Sequence, residues 1–388
     1  MNARTAVVIA GVLGALALSG CGVRASVSTA PVSEVEWGRR AADPTQVPPP
    51  PSGEEKAVGV VAAGEVRDAL EGDCAWYEIL CDRRRSVREI VGRLSPGEIN
   101  ALFGEFGRDE VRRLLRRDGV VDVLKARADV SLLHHLERLA PRSIEPDFTD
   151  VPSYTKKPSS PATAWGAVRG GRLFGTEGEP SLQHVRQGGI ADCWWLAGMG
   201  ALANSHEGRT VLKEMVRPNP NGTYTVAFPD GKKVTVTPYF PIDEEGRLAF
   251  ASPEGRAPAI WPLVLEKALA ERWGGYGRLV QGDGGDAMEL LTGRTGRSKP
   301  PHMVGEEELA AAVRQGAVTV LTPDDGRGAA IFEGRRTARL RTDHVYVVER
   351  IDGQGRLRLY NPWGRDHATV TFEEFRRHFE DVDMSPVR

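Results

Sequence analysis

One cysteine, followed by two tryptophans, is the first residue of this chain whose type and setting could do chemistry. Cys193 lies in "RQGGIADCWWLAG", at the predicted start of a helix and just after Gly188 and Gly189. A cysteine reacts as its thiolate, and the positive end of a helix lowers the pKa of a thiol placed there. A lone cysteine in a helix is more often a small buried hydrophobic residue. Cys193 alone therefore does not decide between core and nucleophile.

A base and an orienting group for that thiol follow much later in the chain. His344 begins the predicted strand "HVYVVERI", and Asn361 follows the next predicted strand in "LYNPWG". Two paired strands would bring the imidazole beside the amide, and an activated cysteine needs a base held by a third group. The order Cys193, His344, Asn361 therefore predicts a cysteine nucleophile served by a His–Asn pair. No HExxH or CxxC spacing suggests a metal site.

The predicted secondary structure that must position these groups changes along the chain. Short helical patterns fill residues 58–142, with Ser95 and Glu98 as a capping box and Asp109 as a candidate cap of the following helix. Beyond residue 164, helices alternate with strands, among them a hairpin turning at Asp230 and Gly231. A helical lobe followed by a β-rich lobe predicts an α+β fold.

Several of these stretches resemble one known protease family. "VRQGGIADCWWLAGMGALA" is similar to the cysteine motif of the calpains, and "DHVYVVERIDGQGRLRLYNPWG" to their histidine–asparagine motif. Further blocks resemble the family in the same order, including "IWPLVLEKALAERW", "GDAMELLTG" and "VTFEEFRRHF". The resemblance covers roughly residues 164–388. It implies a papain-like, calpain-type core preceded by a small helical domain, and cysteine endopeptidase activity on protein or peptide substrates.

The resemblance also implies roles for individual residues. Cys193 corresponds to the family's nucleophile, His344 to its base and Asn361 to the amide that orients the base. Gln187 corresponds to the glutamine that forms the oxyanion hole with the backbone N–H of the cysteine, where donors meet developing negative charge. Trp363 corresponds to the tryptophan that shields the His–Asn contact from water.

Three positions depart from the family pattern. His184 replaces the acidic calcium ligand three residues before the glutamine, and six residues separate Gly364 from "TFEEF", where the family carries a long acidic loop. Since carboxylates hold Ca²⁺, we expect no calcium activation and no other cofactor. Asp343 stands where the family has glycine, and we expect its carboxylate to raise the pKa of His344.

The N-terminus has the architecture of a secretory signal. Arg4 precedes an apolar run from residue 6 to residue 18, and "LSGC" then ends at Cys21, which resembles the lipobox of bacterial lipoproteins. The resemblance implies a diacylated Cys21 as the first mature residue, and hence a lipid anchor in a cell membrane outside the cytoplasm. The run is too short for a typical membrane span.

The predicted organisation has five parts. Residues 1–20 form the signal peptide, 21–57 a proline-rich linker, 58–142 a helical domain, 143–163 an exposed linker open to cleavage, and 164–388 the protease domain. The helical domain is a candidate pro-like domain controlling access to the cleft. Cys74 and Cys81 form a disulfide only if the helix between them is broken, because seven residues of helix separate their Cα atoms by roughly 10.5 Å.

The composition gives no indication of a nucleic-acid partner, and it does not distinguish between classes of enzyme. The formal net charge of −2 has no basic excess of the kind that binds nucleic acid. Two alternatives to a peptidase stay open: an acyltransferase of transglutaminase type, against which Asn361 speaks because those enzymes generally use aspartate, and an inactive anchored scaffold that keeps the fold for binding.

Overall fold

The computed structural model of the chain describes residues 50–71, 86–152, 162–324, 330–333 and 336–387. The signal segment, Cys21, Cys74 and Cys81 lie outside these residues, so the lipid anchor and the disulfide stay predictions. Among the helices that are described, none has the length and apolar character needed to cross a membrane.

Six short helices at the start of the described chain pack around a hydrophobic core of their own. The first begins at Gly53, four residues before the expected end of the proline-rich linker. Their bounds are α1 Gly53–Glu71, α2 Val87–Arg93, α3 Pro96–Gly104, α4 Arg108–Leu115, α5 Val120–Arg127 and α6 Val130–Leu139.

Helix capping in this domain follows the sequence signal at one site and departs from it at another. The Ser95 hydroxyl accepts from the backbone N–H of Glu98, whose carboxylate accepts from the Ser95 N–H, so the predicted capping box is present. Asp109 is not a cap: α4 begins at Arg108 with Gly107 as its N-cap. Asp109 instead lies in the first turn, where a carboxylate still faces the positive end of the helix.

The helical lobe of the catalytic region surrounds one helix that is buried along almost its whole length. This helix is α7, Cys193–Ala203, in which every residue after Cys193 is buried. Gly198 allows close packing, because a Cβ there would lie 2.4 Å from the Cβ of Ala287. The lobe also contains α8 His206–Met215, α9 Trp261–Trp273 and α10 Gly284–Thr292.

Five short strands accompany these helices. β1 Ala164–Ala167 pairs antiparallel with β5 Tyr239–Ile242, and β2 Val216–Pro218, β3 Tyr224–Ala227 and β4 Lys233–Val236 form an antiparallel sheet. β3 and β4 are the hairpin that the sequence predicts around Asp230 and Gly231.

The β-rich lobe is a six-stranded antiparallel sheet with the order β12-β11-β10-β7-β13-β6. Its strands are β6 Arg297–Lys299, β7 Gly316–Thr322, β10 His344–Ile351, β11 Leu357–Tyr360, β12 Ala368–Val370 and β13 Asp381–Pro386. Helices α11 Glu306–Gln315 and α12 Phe372–His378 and the hairpin of β8 Ala330–Glu333 with β9 Arg336–Arg339 complete it.

Strand β10 joins the two lobes through its two faces. Val345 and Val347 belong to the core around α7, whereas Tyr346 and Val348 belong to the core on the other side of the sheet. This alternation follows from the two-residue period of a strand. It places the beginning of β10, and therefore His344, next to the helix that carries Cys193.

A buried ion pair fixes the helical domain to the helical lobe. Glu145 follows α6, and its Oε2 lies 2.6 Å from Nζ of Lys267 on α9, with both side chains fully buried. Lys267 also donates to the backbone oxygen of Tyr239 at 2.6 Å, and the Thr237 hydroxyl donates to Glu145. Charges removed from water are tolerated only when they are paired and hydrogen-bonded in this way.

The expectation of an exposed linker from residue 143 onward is therefore wrong at its start. Ile144 is 1% and Glu145 3% exposed, because Glu145 is needed as the partner of Lys267. Residues 153–161 of that predicted linker lie outside the described part of the chain.

A second set of contacts joins α5 to the same lobe. Nζ of Lys125 lies 2.6 Å from Oε1 of Glu271 on α9, and the Asn221 amide donates to the backbone oxygens of Lys125 and Ala128. The docking contacts thus lie on α9 and around β3 and β5. The predicted catalytic residues belong to α7, to β10 and to the segment after β11.

Candidate active site

The segment before α7 is held from several sides so that Cys193 begins the helix. The N–H of Gly189 donates to the oxygen of Ala249, and the N–H of Gln281 donates to the oxygen of Ala191. Gly188 approaches the backbone oxygen of Phe250 so closely that a Cβ would lie 1.9 Å from it. Only glycine fits at position 188, which gives a physical reason for the first residue of the glycine pair.

Cys193 is a free, half-buried thiol that lies against the start of β10. Burial raises the pKa of the thiol to about 12; the Val345 backbone N–H lowers the pKa by less, and the charges of Asp192 and Asp343 raise it further. The sequence predicts a lowered pKa at the helix N-terminus. The structure differs because desolvation of a thiolate outweighs the helix end.

His344 and Asn361 meet as the strand pairing predicts. Nε2 of His344 lies 2.9 Å from Oδ1 of Asn361, and both residues are buried. The backbone N–H of Trp363 donates to the same Oδ1 at 2.9 Å. A backbone donor fixes which end of the amide is oxygen, so Nε2 of His344 must carry the proton. The Nδ1 atom then keeps the lone pair that a general base uses.

The environment of His344 favours the neutral imidazole. Burial lowers its pKa to about 4, the hydrogen bond to Asn361 raises the pKa by less, and the charge of Arg341 lowers it. The expected rise from Asp343 is therefore wrong in its net direction, because burial dominates. With the thiol pKa raised and the imidazole pKa lowered, both groups are neutral in the resting protein near pH 7.

Trp363 covers the imidazole. The two ring centroids lie 5.0 Å apart, and the Arg341 guanidinium stacks over the indole at 4.9 Å from its centroid. Arg341 also pairs with Asp366 at 3.2 Å. The sequence singles out Trp363 but gives no signal for Arg341, since a cation on an aromatic ring depends on tertiary placement.

Gln187 lies between the asparagine loop and the segment before Cys193. Its backbone N–H donates to the oxygen of Pro362 at 2.7 Å, and its side-chain Nε2 donates to the oxygen of Ile190 at 2.6 Å. Its Oε1 is buried without a hydrogen-bond partner among the described residues. The side chain of Gln187 is therefore bound to the segment that leads into Cys193. One N–H of its amide donates to Ile190, and the other is left to donate elsewhere.

A buried carboxyl pair directly behind Cys193 is absent from the sequence-based prediction. Asp192 and Glu266 are 0% and 2% exposed, and Glu266 accepts from the backbone N–H of Ala251 at 3.0 Å. Burial raises the pKa of both carboxyls, and the charge of Asp192 raises that of Glu266 further. Two adjacent carboxylates in a dry site cannot both ionise, so the pair shares a proton. Glu266 lies within "IWPLVLEKALAERW", but no pattern in the sequence indicates that it meets Asp192.

His184 makes two contacts in the position that departs from the family pattern. Its Nδ1 accepts from Nε1 of Trp261 at 3.1 Å, and its Nε2 lies 3.5 Å from Oε2 of Glu177. Burial lowers the pKa of His184, and Glu177 opposes that shift. In the part of the chain that the structure describes, no three His, Cys, Asp or Glu side chains are grouped so as to hold a metal ion.

The two lobes, with Cys193 at the start of the central helix, His344 at the start of β10 and Asn361 just after β11, form the α+β core of a cysteine protease. Residues 169–385 match the family model described as calpain family cysteine protease. The match covers more than half of the chain, and the chain belongs to the calpain family of cysteine proteases.

Individual relatives agree with this assignment. The chain is 26% identical over 235 residues to the calpain-type cysteine protease DEK1 of Arabidopsis thaliana, which covers 57% of this chain and 11% of that protein. It is 27% identical over 216 residues to calpain-8 of Mus musculus and 28% identical over 218 residues to the calpain-2 catalytic subunit of Bos taurus, each covering 51% of this chain and 30% of the relative. The chain thus spans less than a third of these relatives.

Proposed function

We propose that this protein is a calpain-like cysteine endopeptidase in which Cys193, His344 and Asn361 form the catalytic triad. The observation that carries the proposal is the bond from His344 to Asn361, because Asn361 dictates the tautomer that leaves Nδ1 free as a base. Membership of a cysteine protease family supports the same reading.

The reaction follows from these positions. The Cys193 sulfur attacks the peptide carbonyl while its proton passes to Nδ1 of His344, and a C–S bond forms. The backbone N–H of Cys193 and the Gln187 amide stabilise the oxyanion, an interaction worth about 10²–10³-fold in rate per donor. The C–N bond breaks as His344 returns the proton to the leaving amine. Water, deprotonated by His344, then hydrolyses the thioester and regenerates the thiol.

Proton transfer from Cys193 to His344 is coupled to substrate binding. The pKa of the thiol is raised to about 12 and that of the imidazole lowered to about 4, so the resting pair is neutral. A bound peptide places the electrophile against the sulfur, and the thiol loses its proton as the new bond forms. Trp363 keeps water from the His–Asn contact during this step.

One observation favours a rival reading of the site. A thiol with a raised pKa is a poor nucleophile, which suits an inactive scaffold that retains the protease fold. Digestion of an unfolded protein substrate separates the two readings. Cleavage by the wild type and none by Cys193→Ala supports the peptidase, whereas no cleavage by either supports the scaffold. Adding an amine donor to the same assay reports cross-linking, the product expected of a transglutaminase-type enzyme.

We propose further that the chain works without calcium in its core. Calcium binds oxygen ligands, most often carboxylates. His184 instead offers ring nitrogens that already have neighbours, and Asp366, the one carboxylate between Gly364 and α12, pairs with Arg341. The residues at these places do not fit a calcium site. Equal cleavage rates with added calcium and with a chelator are the expected result.

We also propose that lipid on Cys21 holds the enzyme on a cell membrane outside the cytoplasm. The proposal rests on the signal-like run and the "LSGC" ending at Cys21. Several acyl chains make a stable anchor, since each buried methylene contributes roughly 0.8 kcal/mol. Metabolic labelling with a clickable fatty acid tests it: the wild type should carry the label in the membrane fraction, and Cys21→Ala should not.

A further inference from the structure

An exposed aspartate directly precedes the catalytic histidine of the proposed triad. Asp343 directly precedes His344, and its charge reaches the Cys193 sulfur, whose pKa it raises. Its φ of +48° lies in the left-handed region, which aspartate and asparagine tolerate better than other residues with a side chain. The bend at Asp343 turns the chain into β10 at the edge of the site.

Two arginines near the asparagine segment, Arg341 and Arg186, have carboxylate partners. Arg341 pairs with Asp366 at 3.2 Å, and Arg186 pairs with Glu254 at 3.0 Å. No hydrogen bond or ion pair to the Asp343 carboxylate is formed by the described residues. Among the described residues, the Asp343 carboxylate therefore has no counter-ion.

The proposed reaction indicates which part of the substrate lies near the Asp343 carboxylate. His344 gives its proton to the leaving amine, so the residue that carries this amine lies on the His344 side of the scissile bond. Asp343 directly precedes His344 in the chain and is exposed. A substrate side chain at this position therefore meets a carboxylate, and water is excluded as the peptide covers it.

We propose that Asp343 is a specificity-determining residue that selects lysine or arginine on the leaving-amine side of the scissile bond. This inference rests on the proposed peptidase function. An ion pair that a bound peptide shields from water gains more than an exposed surface pair. We therefore expect a preference of about fivefold or more for a basic over an acidic side chain at this position, weakened by salt.

Peptide binding to the Cys193→Ala chain tests the inference without requiring turnover. Two fluorescent peptides, identical except for lysine or glutamate at the leaving-amine position, are titrated at low and high salt. The lysine peptide should bind about fivefold or more tightly at low salt. Asp343→Asn, added to Cys193→Ala, should bring the two affinities within about twofold, and Asp343→Lys should reverse their order.

Controls keep folding and general charge effects apart from specificity. Asp343→Gly removes the carboxylate and suits the left-handed backbone, so it serves if the asparagine variant fails to fold. Asp68→Asn removes an exposed carboxylate from α1 and should leave the preference unchanged. Equal or absent binding of the two peptides, or a preference that survives Asp343→Asn and Asp343→Gly, would overturn the inference.

Cleavage of the same peptides by the chain with Cys193 intact separates this inference from the proposed function. Cleavage of both at equal kcat/KM supports the peptidase and contradicts the role of Asp343. A lysine preference in binding that Asp343→Asn abolishes, without any cleavage, supports the role of Asp343 in binding and contradicts the peptidase.

Discussion

Glu145 and Lys267 form an ion pair that is fully buried between the helical domain and the catalytic region, with 2.6 Å between Oε2 and Nζ. Lys267 lies on α9 next to Glu266, whose carboxyl pairs with that of Asp192 directly before Cys193. The helical domain is therefore bound to the catalytic region through α9, and its control of access to the cleft stays a prediction.

Breaking this pair on one side should destabilise the whole catalytic region. Glu145→Gln leaves Lys267 as a buried charge without a counter-ion, which costs about 3–5 kcal/mol of the free energy of unfolding. The double variant Glu145→Leu with Lys267→Met removes both charges and should recover most of that loss. Urea denaturation of the three proteins measures this. A single variant as stable as the wild type would show that the pair does not hold the two parts together.

Removing the acceptor from His344 should slow catalysis and leave folding intact. Asn361→Ala frees the imidazole to rotate and to take the wrong tautomer, so kcat/KM should fall by about 10²-fold or more. Asn361→Asp keeps an oxygen for both His344 and the Trp363 N–H and serves as the matched control. Steady-state kinetics on a peptide distinguish them. An alanine variant as active as the aspartate variant would rule out the orienting role.

The carboxyl pair behind Cys193 should make stability fall as the pH rises. Burial raises the pKa of Asp192 to about 7 in the folded chain, whereas an unfolded aspartate has a pKa of about 3.9. Between these values the folded state holds the extra proton, so the free energy of unfolding decreases with pH. Asp192→Asn supplies a permanent donor to Glu266. The free energy of unfolding of this variant should change less over pH 4–7 than that of the wild type, by on the order of 2–4 kcal/mol.

Chemical denaturation of wild type and Asp192→Asn across that pH range measures the difference. Glu266→Gln removes the other half of the shared proton and should flatten the profile in the same way. Parallel pH profiles for all three proteins would mean that the two carboxyls do not share a proton.

The resting thiol should stay protonated well above neutral pH. Its pKa is raised to about 12, so the ultraviolet thiolate absorbance of the wild type minus that of Cys193→Ser should be close to zero from pH 5 to pH 9. After unfolding, the same difference should rise near the ordinary cysteine pKa of about 8.5. A folded-state signal equal to one thiolate at pH 7 would contradict a neutral resting pair and indicate a preformed ion pair with His344.

Local patterns predicted part of this molecule correctly. The strand periodicity around His344 and Asn361 predicted two neighbouring strands, and the pairing of β10 with β11 brings the two side chains together. The start of a helix at Cys193 was also predicted correctly, since α7 begins at that residue. Signals of this kind are local, because they depend on spacing along one element or one turn.

Contacts between distant segments were not predictable in the same way. The meeting of Asp192 with Glu266 and of Glu145 with Lys267 depends on how whole elements pack, and charged residues are ordinarily expected at the surface. The pKa of Cys193 was mispredicted for the same reason. The helix N-terminus is visible in the sequence, whereas the burial that outweighs it is a property of the folded lobes.

Covalent capture of Cys193 by a peptidyl epoxide tests the central claim most directly. Intact-mass and peptide mass spectrometry of the folded wild type should find one inhibitor per chain, on Cys193, and the labelling rate should fall about 10²-fold or more in His344→Ala. Cys193→Ser should take up no label there. Absence of label on Cys193 in the folded wild type, or equal rates in the wild type and His344→Ala, would contradict a nucleophilic cysteine activated by His344.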